Sequence, residues 1–218
     1  MFDTIHWQSM LEAIQETLFM TVTSLIVAVI IGFLIGILLY VTQRDGIYQN
    51  QIINKVVNVI VNVLRAVPFT ILLIMLIPFT KMIVGSMIGA KAALPSLILS
   101  SAPFYARMCM IALNEVDKGT IEASKAMGAS NAQIISKVLL PEAKPALISS
   151  VTVMGISLIG YTAMAGAIGA GGLGNLAYLY GVSRNDWTVT LTATIFIVIL
   201  VFIIQFVGDY VVKKIDKR

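Results

Sequence analysis

Charge is scarce in this chain. Asp, Glu, Lys and Arg make up 12% of its 218 residues and hydrophobic residues 58%, whereas soluble domains run nearer 25% charged and 45–50% apolar. Water is therefore not its main solvent. Cysteine is almost missing: the single Cys109 lies in an apolar run, and a lone thiol makes neither an internal disulfide nor a metal site. The single histidine, His6, lies near the N-terminus, so no zinc set or Ser-His-Asp arrangement can be assembled. No catalytic, cofactor-binding or metal-binding residues are expected. No G-x-x-x-x-G-K-[ST] occurs; the stretch GSMIGAKA around Lys91 fails that spacing. No Asp or Glu sits mid-span, Asp209 being near the inner end of the last apolar run, which counts against a proton-coupled carrier with its ionisable relay. The opening segment carries Asp3, Glu12 and Glu16 but no Lys or Arg, unlike a secretory signal. No basic-aromatic stripe points to nucleic acid.

What the chain has is long oil. Several runs reach the 18 or more apolar residues needed to cross the ~30 Å hydrocarbon core. They predict an all-α, polytopic bundle of five spans, at about 18–41, 56–79, 95–113, 146–168 and 187–212, forming one transmembrane domain over 1–218 in contact with lipid. Ahead of the first span, Trp7, Met10, Leu11, Ile14 and Leu18 fall at helical spacing and predict an amphipathic lead-in at the interface. An odd number of spans puts the termini on opposite sides. With the C-terminus inside, the inner segments hold Arg44, Lys55, Lys118, Lys125, Lys137, Lys144, Lys213, Lys214, Lys217 and Arg218, and the outer ones Lys81, Lys91 and Arg184. Ten against three follows the positive-inside rule, so the N-terminus is expected outside and the C-terminus in the cytoplasm.

The stretch between the third and fourth spans, 118–142, is polar but not featureless. Residues Thr120 to Met127 favour a helix, Gly128 suits a C′ position, and Ser130-x-x-Gln133 reads as a capping box opening a second helix that ends before Pro141. Two short helices thus meet at a glycine elbow. Ala123, Ala126 and Met127 give the first a smooth face; Ile134, Ile135, Val138 and Leu139 give the second an apolar one. A plain connection needs only a few residues, so either the bundle's own inner face or a partner must hold this one in order.

Inside the spans, Asn58, Asn62 and Arg65 share a helix face, with Pro68 positioned to kink the helix. Ser96, Ser100, Pro103 and Arg107 form a second stripe, and Arg107 lies close enough to the inner surface to snorkel. Such residues either line a pathway or hold helices together; Arg65 suits a structural or gating role. The fourth span is rich in small and hydroxyl residues, with Tyr161 and Met164 its bulky members toward the outer half and candidates for a gate. The run GAIGAGGLG that follows contains G-x-G-x-x-G, but it follows an apolar helix rather than a strand and reads as a tight re-entry of the chain.

The pattern Glu122-Ala123-Ser124, three residues, Gly128, nine residues, Val138-Leu139-Leu140-Pro141 resembles the EAA loop of binding-protein-dependent ABC importer permeases. Ser124 replaces an Ala and Val138 an Ile. Together with R-A-V-P-F from Arg65, A-P-F-Y-A-R ending at Arg107 and Gly160 to Gly174, it makes nearly the whole chain similar to the methionine permease subunits of bacterial importers. The resemblance implies a type I importer permease fold in the inner membrane, with methionine moving inward by alternating access. Glu122, Ala123, Ala126, Met127 and Gly128 are implied as the coupling face, and Arg65, Pro68, Ser100, Arg107, Tyr161 and Met164 remain pathway or gate candidates. The implied partners are two separate ATPase subunits carrying ATP-Mg, an extracytoplasmic methionine-binding protein and a second copy of the permease. This chain itself is then not an enzyme. A permease for another small solute, an ion-coupled carrier and a channel are the alternatives.

Overall fold

The computed structural model describes residues 7–216, and its regular elements are all helical. His6, Asp3, Lys217 and Arg218 fall outside the described residues. The first helix, α1 (Trp7–Thr42), is continuous over 36 residues, ~54 Å at 1.5 Å per residue. The expected lead-in is therefore continuous with the helix of the first span. Its hold is long-range: Met10 and Ala13 are buried in a cluster with Leu173, Val189 and Ala193. Beyond them, Glu16 Oε2 accepts from the Gly172 N–H (2.6 Å) and Thr17 Oγ1 from the Leu173 N–H (2.9 Å).

Asn50 caps α2 (Gln51–Ala66) by accepting from the Ile53 N–H. Val67, forced out of the helical region by the following proline, is extended (φ −75°, ψ 123°). The chain then resumes as α3 (Phe69–Met75), bent by 99° from α2. The second span is thus a broken pair rather than a straight crossing. After α4 (Ile77–Val84), which stops at Gly85 with φ +79°, comes α5 (Ala90–Asn114), with Pro95 and Pro103 inside it.

The elbow contains α6 (Lys118–Ala126) and α7 (Asn131–Gln133). The expected stop ahead of Pro141 is absent. A π turn at Ile134–Leu139 leads directly into α8 (Leu140–Ala165), and its wider i→i+5 pitch just ahead of Pro141 accommodates the proline ring and its missing N–H without ending the helix. Helix runs on from Asn131 to Ile168, and inside the second π turn, Gly166–Ala170, the chain kinks at Gly169 (φ 98°, ψ 15°). Gly169, Gly171 and Gly172 then take φ of +98°, +83° and +75° and reverse the chain into α9 (Gly172–Tyr178). A third π turn, Leu179–Ser183, precedes α10 (Trp187–Ile215), capped by Asp186.

The helices approach closely where side chains are small. A Cβ on Gly32 would lie 2.5 Å from Ala102 O, and one on Gly36 2.6 Å from Cys109 Cβ. Successive contacts at 32/102 and 36/109 make α1 and α5 run in the same direction. Between α8 and α10 the contacts Gly155–Ile204 and Gly208–Thr152 give the opposite sense. The hydrogen bond from Gln43 Nε2 to Asn114 Oδ1 (3.0 Å) joins the ends of α1 and α5, and Asp216 lines a small pocket with Glu115 and Glu142. The elbow and residue 216 therefore share one end of the bundle; Met10 and the glycine-rich reversal share the other. Among the described residues four helices are long and apolar enough to cross a membrane, or five counting the bent pair. Exposed Ile26, Ile30 and Leu34 on α1 and Ile195, Phe202 and Phe206 on α10 give those helices the outer faces that a lipid solvent requires.

Candidate coupling elbow and transport pathway

The elbow is assembled from local chemistry. Asp117 caps α6, its Oδ1 accepting from the Thr120 N–H at 3.0 Å. Gly128, at φ +84°, ends it: its N–H donates to Lys125 O (2.9 Å), and the Ala129 N–H donates to Ser124 O (3.1 Å). That pair of bonds is a Schellman motif, which needs a left-handed residue where Gly128 stands. The capping box is closed both ways, from the Ser130 N–H to Gln133 Oε1 (2.8 Å) and from the Gln133 N–H to Ser130 Oγ (3.3 Å).

One side of this unit is locked to the bundle. Ile121, Ile134 and Leu139 are buried with Tyr40, Leu113 and Val116 in one apolar cluster, and Ser124 is buried with its Oγ donating to Thr120 O. The other side is open. Glu122, Ala123, Ala126, Met127 and Gly128 are all exposed, Met127 by 81%. Among the described residues the Glu122 carboxylate has no ion-pair partner, although it shares a cleft of about 320 Å³ with Arg44, Lys118 and Lys125. The elbow is thus a fixed platform with an uncovered face of small residues, one thioether and one carboxylate.

The pathway candidates divide. Pro68 opens α3 at the bend. Beside it, the buried Phe69 ring stacks on Tyr161 of α8, with centroids 4.8 Å apart and planes 17° from parallel. Met164, one turn beyond Tyr161, is exposed, and a Cβ on Gly160 would meet nothing within 4 Å. Ser149, Val153, Gly160 and Met164 therefore form an uncovered stripe on α8 beside the stack. Arg65 is exposed at the last turn of α2. Ser100 and Arg107 serve α5 itself: Ser100 Oγ donates to Leu97 O (3.1 Å), and Arg107 Nη1 reaches Met110 Sδ (3.6 Å).

Sequence reasoning missed four participants. Asp117, three residues ahead of Thr120, carried a readable N-cap signal. Asn54, which donates to Leu39 O (2.7 Å) and Thr42 Oγ1 (3.1 Å), continues the Asn58–Asn62 row by one turn. Phe69 and Glu16 had no local signal, since their partners lie far along the chain.

A model of the family described as binding-protein-dependent transport system inner membrane component matches residues 32–218. The methionine import system permease protein MetP of Bacillus subtilis (strain 168) is 53% identical over 217 residues, spanning 100% of this chain and 98% of that one. The D-methionine transport system permease protein MetI of Escherichia coli (strain K12) is 47% identical over 157 residues, 72% of each chain. A solved structure of the MetNI methionine ABC transporter in inward-facing conformations contains a chain that superposes with a TM-score of 0.95 at 46% identity, with 100% of both chains covered.

Proposed function

From the premise that the chain belongs to the family of inner-membrane components of binding-protein-dependent transport systems, we propose that it is the membrane-spanning permease subunit of an ATP-driven methionine importer. The substrate comes from the 53% identity, over essentially its full length, to a methionine import permease. The mechanics come from one observation: an elbow whose inner side is fixed to the bundle presents an outer face with nothing on it.

That face, Glu122, Ala123, Ala126, Met127 and Gly128, docks a separate ATPase subunit. Ordering the segment costs ~1–2 kcal/mol per residue in backbone entropy; the caps and the Ile121–Ile134 packing offset it, so the docking face is pre-formed. One chain has one elbow, so a permease dimer matches an ATPase pair. The ATPases hold ATP-Mg; this chain contributes no chemistry to its hydrolysis. The elbow end, where Arg44, Lys118, Lys125, Lys137 and Lys144 gather, is cytoplasmic, which puts the N-terminus outside. The opposite end, with the glycine reversal, receives solute from an extracytoplasmic binding protein. Closing of the ATPase pair moves the elbows, and α8 with its Tyr161–Met164 segment moves with them.

The test is reconstitution with the ATPase and binding protein in proteoliposomes. Methionine uptake that requires ATP, and is lost in a Glu122→Lys, Gly128→Trp double variant that still inserts, supports the proposal. Uptake without ATP or ATPase refutes it in favour of a carrier or channel. Competition by unlabelled amino acids tests the substrate.

A further inference from the structure

We propose that the polar face of α2 is the groove through which solute leaves at the elbow end, and that it is built to favour a carboxylate. The inference deepens the transport reading above and rests on it.

At ~100° per residue, Gln51, Asn54, Lys55, Asn58, Asn62 and Arg65 all fall within an arc of about 100° on α2. The opposite arc carries Ile52, Val56, Ile60 and Val63, all exposed, and suits lipid. The polar arc does not: a single charge at the centre of a lipid-facing helix costs about 2.5–3.5 kcal/mol even on the lowest scale. The chain's own bundle covers it only in part, where the half-buried Asn54 donates to Leu39 O and Thr42 Oγ1 of α1. Val61 is the one fully buried residue of α2, and among the described residues Asn62, Arg65, Lys55 and Arg44 make no side-chain hydrogen bond or ion pair. Instead the face opens on a cleft of about 460 Å³ bordered by Arg44, Asn54, Lys55, Asn58 and Asn62.

The place and the charge of this cleft give it a role. From Gln51 to Arg65 is ~21 Å along the helix, so the polar row climbs from the elbow end to the bend at Pro68, where Phe69 stacks on Tyr161. Between Asp45 and Glu115 the sequence contains no Asp or Glu, so Lys55 and Arg65 on the row have no carboxylate on α2 to neutralise them, and Arg44, beside Asp45, borders the cleft at its elbow end. A zwitterion is drawn in by its carboxylate, while the free Asn62 amide offers an oxygen to its ammonium group and N–H donors to its carboxylate. Asn58, by contrast, spends its amide nitrogen on Asn54 O and Oδ1 (3.1 and 2.9 Å). Two cations ~15 Å apart along this row, with Arg44 at its elbow end, attract without making a single deep trap, which suits release. A solute with net positive charge is held back.

The test places single cysteines at Asn54, Asn58 and Asn62, with Ile60→Cys as the lipid-face control, in the complete transporter in inside-out vesicles. The parent chain is the blank, because its one thiol, Cys109, is fully buried. Membrane-impermeant methanethiosulfonates, one anionic and one cationic, are added to the cytoplasmic face, and rates are normalised to those with a free thiol. Reaction at all three asparagine positions, with the anionic reagent favoured on the order of tenfold and the preference falling as salt rises, is the expected result. Three results overturn the proposal: no reaction at Asn58→Cys and Asn62→Cys, spontaneous disulfide linkage of two copies through them, or equal rates for the two reagents. Each can occur while ATP-dependent uptake by the parent persists, so the groove can fail without the transport reading failing.

Discussion

Gly128 offers the sharpest test of the elbow, because backbone and contact effects separate there. Its φ of +84° lies in the left-handed region, and a Cβ built on it meets nothing of its own chain within 4 Å. A substitution therefore incurs conformational strain and no internal clash. For Ala that strain is ~1–2 kcal/mol, which lowers the ratio of ordered to disordered elbow by a factor of about 5–30. Asn enters the same region more cheaply, and a β-branched residue enters it worst. ATP-dependent uptake by the reconstituted transporter, corrected for inserted protein, is expected to fall in the order Gly, Asn, Ala, Val, with co-purification of the ATPase following the same order. If Gly128→Val keeps full uptake, the Schellman geometry is irrelevant to function. If Gly128→Asn is as damaging as Gly128→Val, the position matters for its surface and the backbone argument is wrong.

Three further outcomes follow from the packing. Gly166→Ala drives a Cβ to 2.5 Å from Asn175 N and should destabilise the detergent-purified protein by about 1–3 kcal/mol, whereas Gly160→Ala, with open space before it, should stay within about 0.5 kcal/mol; thermal unfolding compares the two. Phe69→Leu and Tyr161→Leu should be non-additive in a double-mutant cycle by about 0.5–1.5 kcal/mol, the worth of a stacked pair, and additivity would mean that the stack does not hold α3 to α8. Glu16→Ala removes the carboxylate that accepts from Gly172, a bond of about 1.5–3 kcal/mol, so amide exchange at Gly172 and Leu173 should accelerate on the order of tenfold or more, and unchanged exchange would count against the contact.

Local features could be read from the sequence and long-range ones could not. Gly128 and the Ser130/Gln133 box act within a few residues, so their geometry follows from residue type alone. Pro68 announces a kink, but the 99° angle also depends on what Phe69 and Leu72 find to bury against, which lies on other helices. What the lead-in packs against could not be read locally, because the partners of Met10, Ala13 and Glu16 lie far along the chain, 156 residues on in the case of Glu16. Pro141 looked like a stop because a π turn, which absorbs it, has no sequence signature of comparable strength. Among the pathway candidates, Arg65 and Asn62 lie on an open face as polar residues in a span must, while Ser100 and Arg107 turn out to be occupied within α5.

The run of helix from Asn131 to Ile168, just short of the left-handed Gly169, is ~57 Å of lever arm. It connects the capped elbow to the glycine reversal, with the π turn at Ile134–Leu139 as a change of pitch along it and the kink at Gly169 as its end. Tilting such a rod by ~5° about one end carries the other through ~5 Å, far more than the close fit of Gly174 on Ala163 can absorb without repacking. The connection also works in reverse, because energetic coupling between two sites is reciprocal. In the importer proposed above, a solute or binding protein that reshapes the mouth would alter how firmly the distant elbow is grasped, so arrival at one end would be felt at the other before anything had crossed.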